Sequence, residues 1–211
     1  VPTPEEILAG LGAIASEWRW LAGVWHGYFG VLALGLVFGV RPSRRTTGVL
    51  LALPILSVST LAWINANPFN GGFFALTGVA LMLIALKMGG DAVRVGPGWS
   101  TVTGTLMFAF GWAYPHFLGG STPAAWLYAA PTGLIPCPTL SIVIGMTLVL
   151  GGLGSRSWCL VLVVAGLFYG VFGAFRLGVR IDLALLAGAL ATAIAGLSGR
   201  RRVGGKVPAS R

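Results

Sequence analysis

Seven apolar runs, each about as long as one helical crossing of a bilayer, follow one another along this chain, separated by short polar or glycine- and proline-rich breaks. A hydrocarbon core about 30 Å thick takes roughly 20 helical residues per crossing. The runs fall at about 20–40, 47–66, 69–87, 101–118, 124–152, 157–175 and 182–198. Hydrophobic residues make up 56% of the 211 and charged residues only 9%, against about a quarter in soluble domains. That shortfall excludes a water-soluble globular enzyme, a disordered chain and a nucleic-acid binder, despite a formal net charge of +9. The expected fold class is all-α: a polytopic transmembrane bundle of seven spans, with the fifth span broken.

The basic residues give the bundle an expected orientation. With the N-terminus outside and the C-terminus inside, alternate breaks place Arg41, Arg44, Arg45, Lys87, Arg94 and Arg156 inside, together with Arg200, Arg201, Arg202, Lys206 and Arg211. Only Arg19, Arg176 and Arg180 remain outside, as the positive-inside rule requires. Anionic lipid headgroups are the expected partner of this charge. Trp18, Trp20, Trp63, Trp112 and Trp126 mark the outer boundary, and Trp99 and Trp158 the inner one. One domain is expected over 1–199, followed by a basic cytoplasmic tail over 200–211. Within it, Thr3-Pro4-Glu5-Glu6 reads as a cap, an N1 proline and an acidic first turn. That predicts an amphipathic helix over 4–17, within an interfacial segment 1–18. The acidic N-terminus does not read as a signal peptide, and the missing initiator Met suggests lost or processed residues. A retinal protein is excluded, because the last run contains no lysine. Gly23/Gly27, Gly35/Gly39 and Gly166/Gly170 are spaced for close helix packing or self-association.

The chemistry concentrates at Pro131-Thr-Gly-Leu-Ile-Pro-Cys-Pro-Thr-Leu-Ser141. Counted along a helix from Ala124, Pro136 lies roughly 18 Å deep. Prolines 131, 136 and 138 would free the carbonyls of Leu127, Thr132 and Leu134. Those groups cannot face lipid and must meet protein, water or a ligand. Thr132, Pro136, Cys137, Pro138 and Thr139 are therefore the leading binding candidates, on the pattern of discontinuous transporter helices. A structural kink, or a re-entrant piece followed by a span starting at Pro138, is the competing expectation. Cys137 has three readings: a packing group, a reactive thiol, or a soft-metal ligand. His26 and His116 are the other metal or haem candidates. No cofactor is predicted, with haem or a soft metal left open.

Glu17 reads as an interfacial acid beside Arg19 or a carboxylate facing an outer cavity near His26. Tyr128 would line that outer access. Asn67-Pro68 reads as a helix cap or a ligand group. Arg176, Arg180 and Asp182 bracket the last outer turn, and with only five acids in the chain Glu17 and Asp182 both draw interest.

Thr132 to Thr139 resembles the Pro-Cys-Pro-Thr signature of a family of uncharacterised bacterial multi-pass membrane proteins, a domain of unknown function. Thr3 to Glu17 is similar to that family's opening amphipathic segment, and Asn67-Pro68 to its Asn-Pro motif at the third span. Ser57-Val58-Ser59-Thr60 departs from the aromatic run expected there. The resemblance implies a bacterial inner-membrane protein and singles out Cys137, but carries no activity. The leading functional expectation is a small-solute or ion transporter, or a channel-like protein, with a midplane site at Pro136-Cys137-Pro138. The alternative is a structural or accessory subunit of a larger membrane complex, or a homo-oligomer. Neither a Ser/His/Asp set nor a phosphate loop is present, which leans against an enzyme; a membrane thiol or metal enzyme is the weakest class.

Overall fold

The computed structural model describes residues 2–117 and 123–198; the basic tail expected over 200–211 lies outside them. All named elements among the described residues are helical, and the one extended pairing is an isolated bridge between Ser43 and Ala92. The α-helices are α1 (Pro4–Glu17), α2 (Arg19–Val37), α3 (Arg44–Ile64), α4 (Pro68–Leu86), α5 (Gly98–Trp112), α6 (Pro136–Val149), α7 (Arg156–Val171) and α8 (Leu183–Ser198). Five stretches are long and apolar enough to cross a membrane: α2, α3, α4, α7 with its continuation to Arg176, and α8 with the turn from Arg180. Their outward faces carry Val31, Leu34, Leu76, Leu83, Leu160 and Ile194 in the open. An apolar exterior of this extent suits lipid and not water. This is a membrane-type helical bundle.

Helix α1 begins where the sequence places it. The Glu6 amide donates to Thr3 Oγ1 at 3.2 Å and the Thr3 amide to Glu6 Oε2 at 2.8 Å, a reciprocal capping box. Its apolar face does more than rest at an interface. Leu11 and Ile14 pack with Leu61, Leu134 and Ile135, so α1 covers one end of the bundle.

The helices pack as neighbouring pairs α3–α4, α5–α6 and α7–α8, with α6 also touching α3, α7 and α8. Every residue of α6 from Pro138 to Leu148 is buried, the signature of a helix enclosed by others. Small residues permit this. A Cβ on Gly104 would lie 2.5 Å from the Gly145 carbonyl oxygen, and one on Gly145 would lie 2.6 Å from the Phe108 amide. Backbones therefore touch directly, a packing mode that replaces the missing hydrophobic drive within lipid. Gly166 and Gly170 likewise receive Ala189 and Leu186 of α8, whereas Gly23 and Gly27 have nothing within 4 Å.

Two expectations need correction. The fifth span over 124–152 is not one helix interrupted at Pro136. A single 3-10 turn occupies Pro123–Leu127, irregular chain follows, and α6 starts at Pro136. Pro136 sits at N1, where no intrahelical N–H is required. The count of depth from Ala124 therefore does not apply. With 14 residues at 1.5 Å each, α6 is about 21 Å long, some 9 Å short of a full crossing. Trp158 is the second correction. It is fully buried and its Nε1 donates to Thr147 Oγ1 at 3.0 Å, so it belongs to the core and not to an interfacial belt.

The α5–α6 contact makes a prediction. Gly104→Val should lower stability by about 1–3 kcal/mol through overpacking, read as a lower thermal unfolding midpoint in detergent. Gly23→Val, added into open space, should leave the midpoint unchanged.

Candidate functional site

Residues 129–135 form a non-helical segment that is buried throughout. Backbone of this kind is tolerated in a membrane only where protein meets its polar groups, and here protein does. Trp112 Nε1 donates to the Leu127 carbonyl at 3.0 Å. The Pro131 carbonyl accepts from the amides of Leu134 and Ile135 at 3.2 Å. Thr132 Oγ1 donates to Gly111 O at 2.9 Å. Thr139 Oγ1 donates to Ile135 O at 2.7 Å while accepting from the Gly133 amide at 2.8 Å. The carbonyls of Thr132 and Leu134 were expected to be freed from a helix, but no helix runs through them. Gly133 is required twice over: its φ is +76°, and a Cβ there would collide with the Trp25 indole.

This scaffold presents Cys137 in the first turn of α6. Its Sγ donates to Asp182 Oδ2 at 3.2 Å, and the Tyr114 hydroxyl donates to Asp182 Oδ1 at 2.7 Å. Asp182 is 1% exposed and sits on the 3-10 turn Arg180–Asp182 that leads into α8. A wide π turn, Phe172–Arg176, continues α7 beside it. The carboxylate lies so close to Gly173 in that turn that a Cβ would have no room. Single-turn π segments recur at functional sites because they displace the regular ladder. The Tyr169 hydroxyl of α7 donates to Asn70 Oδ1 of α4 at 2.8 Å. Elements α5, α6, α7 and α8 thus meet at one carboxylate, whose two oxygens accept from a phenol and a thiol.

Most other sequence candidates lie elsewhere. Thr132, Pro136, Pro138 and Thr139 shape the backbone, as just described. Asn67 caps α4 by accepting from the Asn70 amide at 3.1 Å. Glu17 is exposed at the end of α1, and Tyr128 is 58% exposed. His26 is buried, and its two ring nitrogens face carbonyl oxygens, Nδ1 that of Ala22 at 2.8 Å and Nε2 that of Trp112 at 3.0 Å. Both nitrogens thus face main chain, and among the described residues it makes no hydrogen bond to Glu17 or His116. His116 is exposed with its ring edge-on to Phe117. Among the described residues no three His, Cys, Asp or Glu side chains converge as a metal site.

The sequence marks Cys137 and Asp182, but not that they meet, and it gives no sign of Tyr114 or Tyr169. The available signal was the scarcity of acids: an Asp at the mouth of an apolar run needs a partner. Arg176 and Arg180 bracket the same turn, but among the described residues neither bonds Asp182. Both are exposed, while Asp182 turns inward.

Tyr114→Phe should cost about 1.5–3 kcal/mol of stability by removing a donor to a buried carboxylate. In an Asp182→Ala background the same change should cost much less. Thermal unfolding of the four proteins in detergent, as a double-mutant cycle, measures the coupling. No protein-family model matches this chain, and neither a curated protein nor a solved structure matches it.

Proposed function

We propose that this chain is a transporter or channel-like membrane protein for a small solute or ion, with its site at Asp182, Cys137 and Tyr114. One observation carries the reading: an acidic side chain is buried in an apolar bundle with only neutral hydrogen-bond donors. No ion pair to it occurs among the described residues. Ionisable groups inside membrane bundles are costly and mark ion paths, proton relays or substrate contacts. The carboxylate offers negative charge to a proton, a small cation or a polar solute. The thiol and phenol supply movable hydrogens beside it. Helix ends converge there, as in transporter sites.

The rest of the assignment belongs to the same proposal: seven crossings with α5 and α6 as short spans, N-terminus outside, C-terminus inside, in a bacterial inner membrane. Membership of the uncharacterised family with the Pro-Cys-Pro-Thr signature is proposed likewise. In favour of the topology, the expected inner breaks gather at one end. Arg44 Nε donates to Leu153 O at 2.6 Å, and the Gly96 amide to Val149 O at 2.8 Å. The second reading, an accessory subunit, draws support from α2. Only 17% of its apolar window is buried within the chain, and Gly23 and Gly27 are open on it, as a partner helix would need.

Proteoliposomes test the first reading. Dissipation of imposed proton, sodium or potassium gradients, and uptake of amino acids and sugars, should exceed that of protein-free vesicles for at least one of these. Asp182→Asn should slow that flux about tenfold or more, and Cys137→Ser should slow it less. Flux equal to empty vesicles for every solute overturns the reading; co-purification of a stoichiometric membrane partner would then favour the subunit.

A further inference from the structure

At the opposite end of the bundle from Asp182, an open cavity of about 640 Å³ lies between the α4–α5 connection, the α6–α7 connection and the end of α8. Arg44, Asp91, Arg94, Trp99, Gly151 and Ser198 are among its lining residues. We propose that this cavity binds a phosphate group, carried by an anionic lipid whose acyl chains lie along the outer face of α5.

The guanidinium geometry comes first. Arg44 donates through Nε to Leu153 O at 2.6 Å and through Nη2 to Gly154 O at 2.8 Å. Two of its five N–H donors are committed and hold the group rigid; three remain for a ligand. Arg94 is exposed and makes no side-chain hydrogen bond among the described residues. Asp91 is the one acid in the lining, and it makes no ion pair with either arginine among the described residues, so the lining keeps an excess positive charge. Forked guanidinium donors match phosphate oxygens in pairs.

The backbone supports the same chemistry. Gly151, Gly152, Leu153 and Gly154 have φ of +59°, +72°, +51° and +58° in succession. A run of left-handed residues is costly for L-amino acids, above all at Leu153, and such strain persists only where surrounding contacts impose it. Here the Arg44 fork clasps the carbonyls of the strained turn. Helix α5 opens into the cavity behind Pro97, with no side-chain cap. The amides of its first turn are therefore available to an acceptor.

Size and surroundings favour a lipid source over free phosphate. A cavity of this volume is in the range of sites for whole small molecules. Trp99, Val102 and Leu106 are all exposed and follow one another at helical spacing along one face of α5, an apolar track leading from the cavity rim. Basic pockets between spans on the positively charged side of a membrane are a recurring place for acidic headgroups.

The test uses the full chain in detergent, with calorimetric titration of dihexanoyl phosphatidylglycerol, dihexanoyl phosphatidylcholine, glycerol 3-phosphate and inorganic phosphate. The glycerol lipid should bind about tenfold or more tightly than the choline lipid, and Arg94→Gln should weaken it about tenfold, the equivalent of one lost charged contact. Arg44→Lys keeps the charge but loses the fork, and should weaken it too. Arg19→Gln removes the same charge at the other end and should change nothing. Equal binding of the two lipids, or equal loss in Arg19→Gln and Arg94→Gln, overturns the site. Tight binding of glycerol 3-phosphate or inorganic phosphate that is lost in Arg94→Gln keeps the phosphate site and overturns the lipid as its source. None of these readouts involves Asp182, so their outcome is independent of the proposed transport role.

Discussion

A backbone amide or carbonyl inside hydrocarbon has no water to turn to, and that constraint organises this molecule around α6. The helix is too short to cross a bilayer alone, and its neighbours enclose it on every side. Its approach, residues 129–135, is irregular and equally enclosed. Side chains take over part of what a longer helix would do internally: Trp112 bonds the Leu127 carbonyl, Thr132 that of Gly111, Thr139 that of Ile135 and Ser141 that of Cys137. Thr132 and Thr139 are thus both occupied with main-chain carbonyls. What they leave free to act is the thiol of Cys137.

The same economy explains why Asp182 is tolerated. A carboxylate in a dry bundle is destabilising unless donors surround it, and the Tyr114 hydroxyl and Cys137 thiol give one hydrogen bond to each oxygen. Neither donor carries charge. A guanidinium in their place would make a closed structural ion pair with little reason to exchange. Neutral donors leave the charge of an ionised carboxylate only partly compensated.

Much of this architecture was legible in the amino-acid order. The breaks at Arg41–Arg45, Asn65–Gly71 and Leu153–Arg156 delimit helices where expected, because prolines, glycines and charges act locally. The Thr3 cap set the start of α1 for the same reason. The segment before α6 was not legible: 124–135 is apolar enough for a helix, and apolar composition alone does not distinguish a buried helix from buried irregular chain. Tyr114 and Asp182 are 68 residues apart, and Cys137 and Asp182 are 45 apart. No local spacing encodes such a meeting; packing of three helix pairs produces it. Trp158 misled for the complementary reason, since a tryptophan near a helix start resembles a membrane-boundary anchor until its indole finds Thr147.

The attachment of α2 has a mechanical side. Its polar fastenings all fall within one turn: Trp25 Nε1 to Ser57 Oγ, His26 Nε2 against the Trp112 carbonyl oxygen, and Tyr28 hydroxyl to Leu50 O. Beyond that turn only apolar side chains such as Leu32 and Leu36 hold it. A rod fastened near its middle and merely packed along the rest is a lever. Sideways load on its Val31–Phe38 half is delivered to the clamp, and one jaw of that clamp is a residue two places before Tyr114. The clamp on α2 and the hydroxyl that holds the buried carboxylate are thus neighbours along the chain, and what displaces one bears on the other.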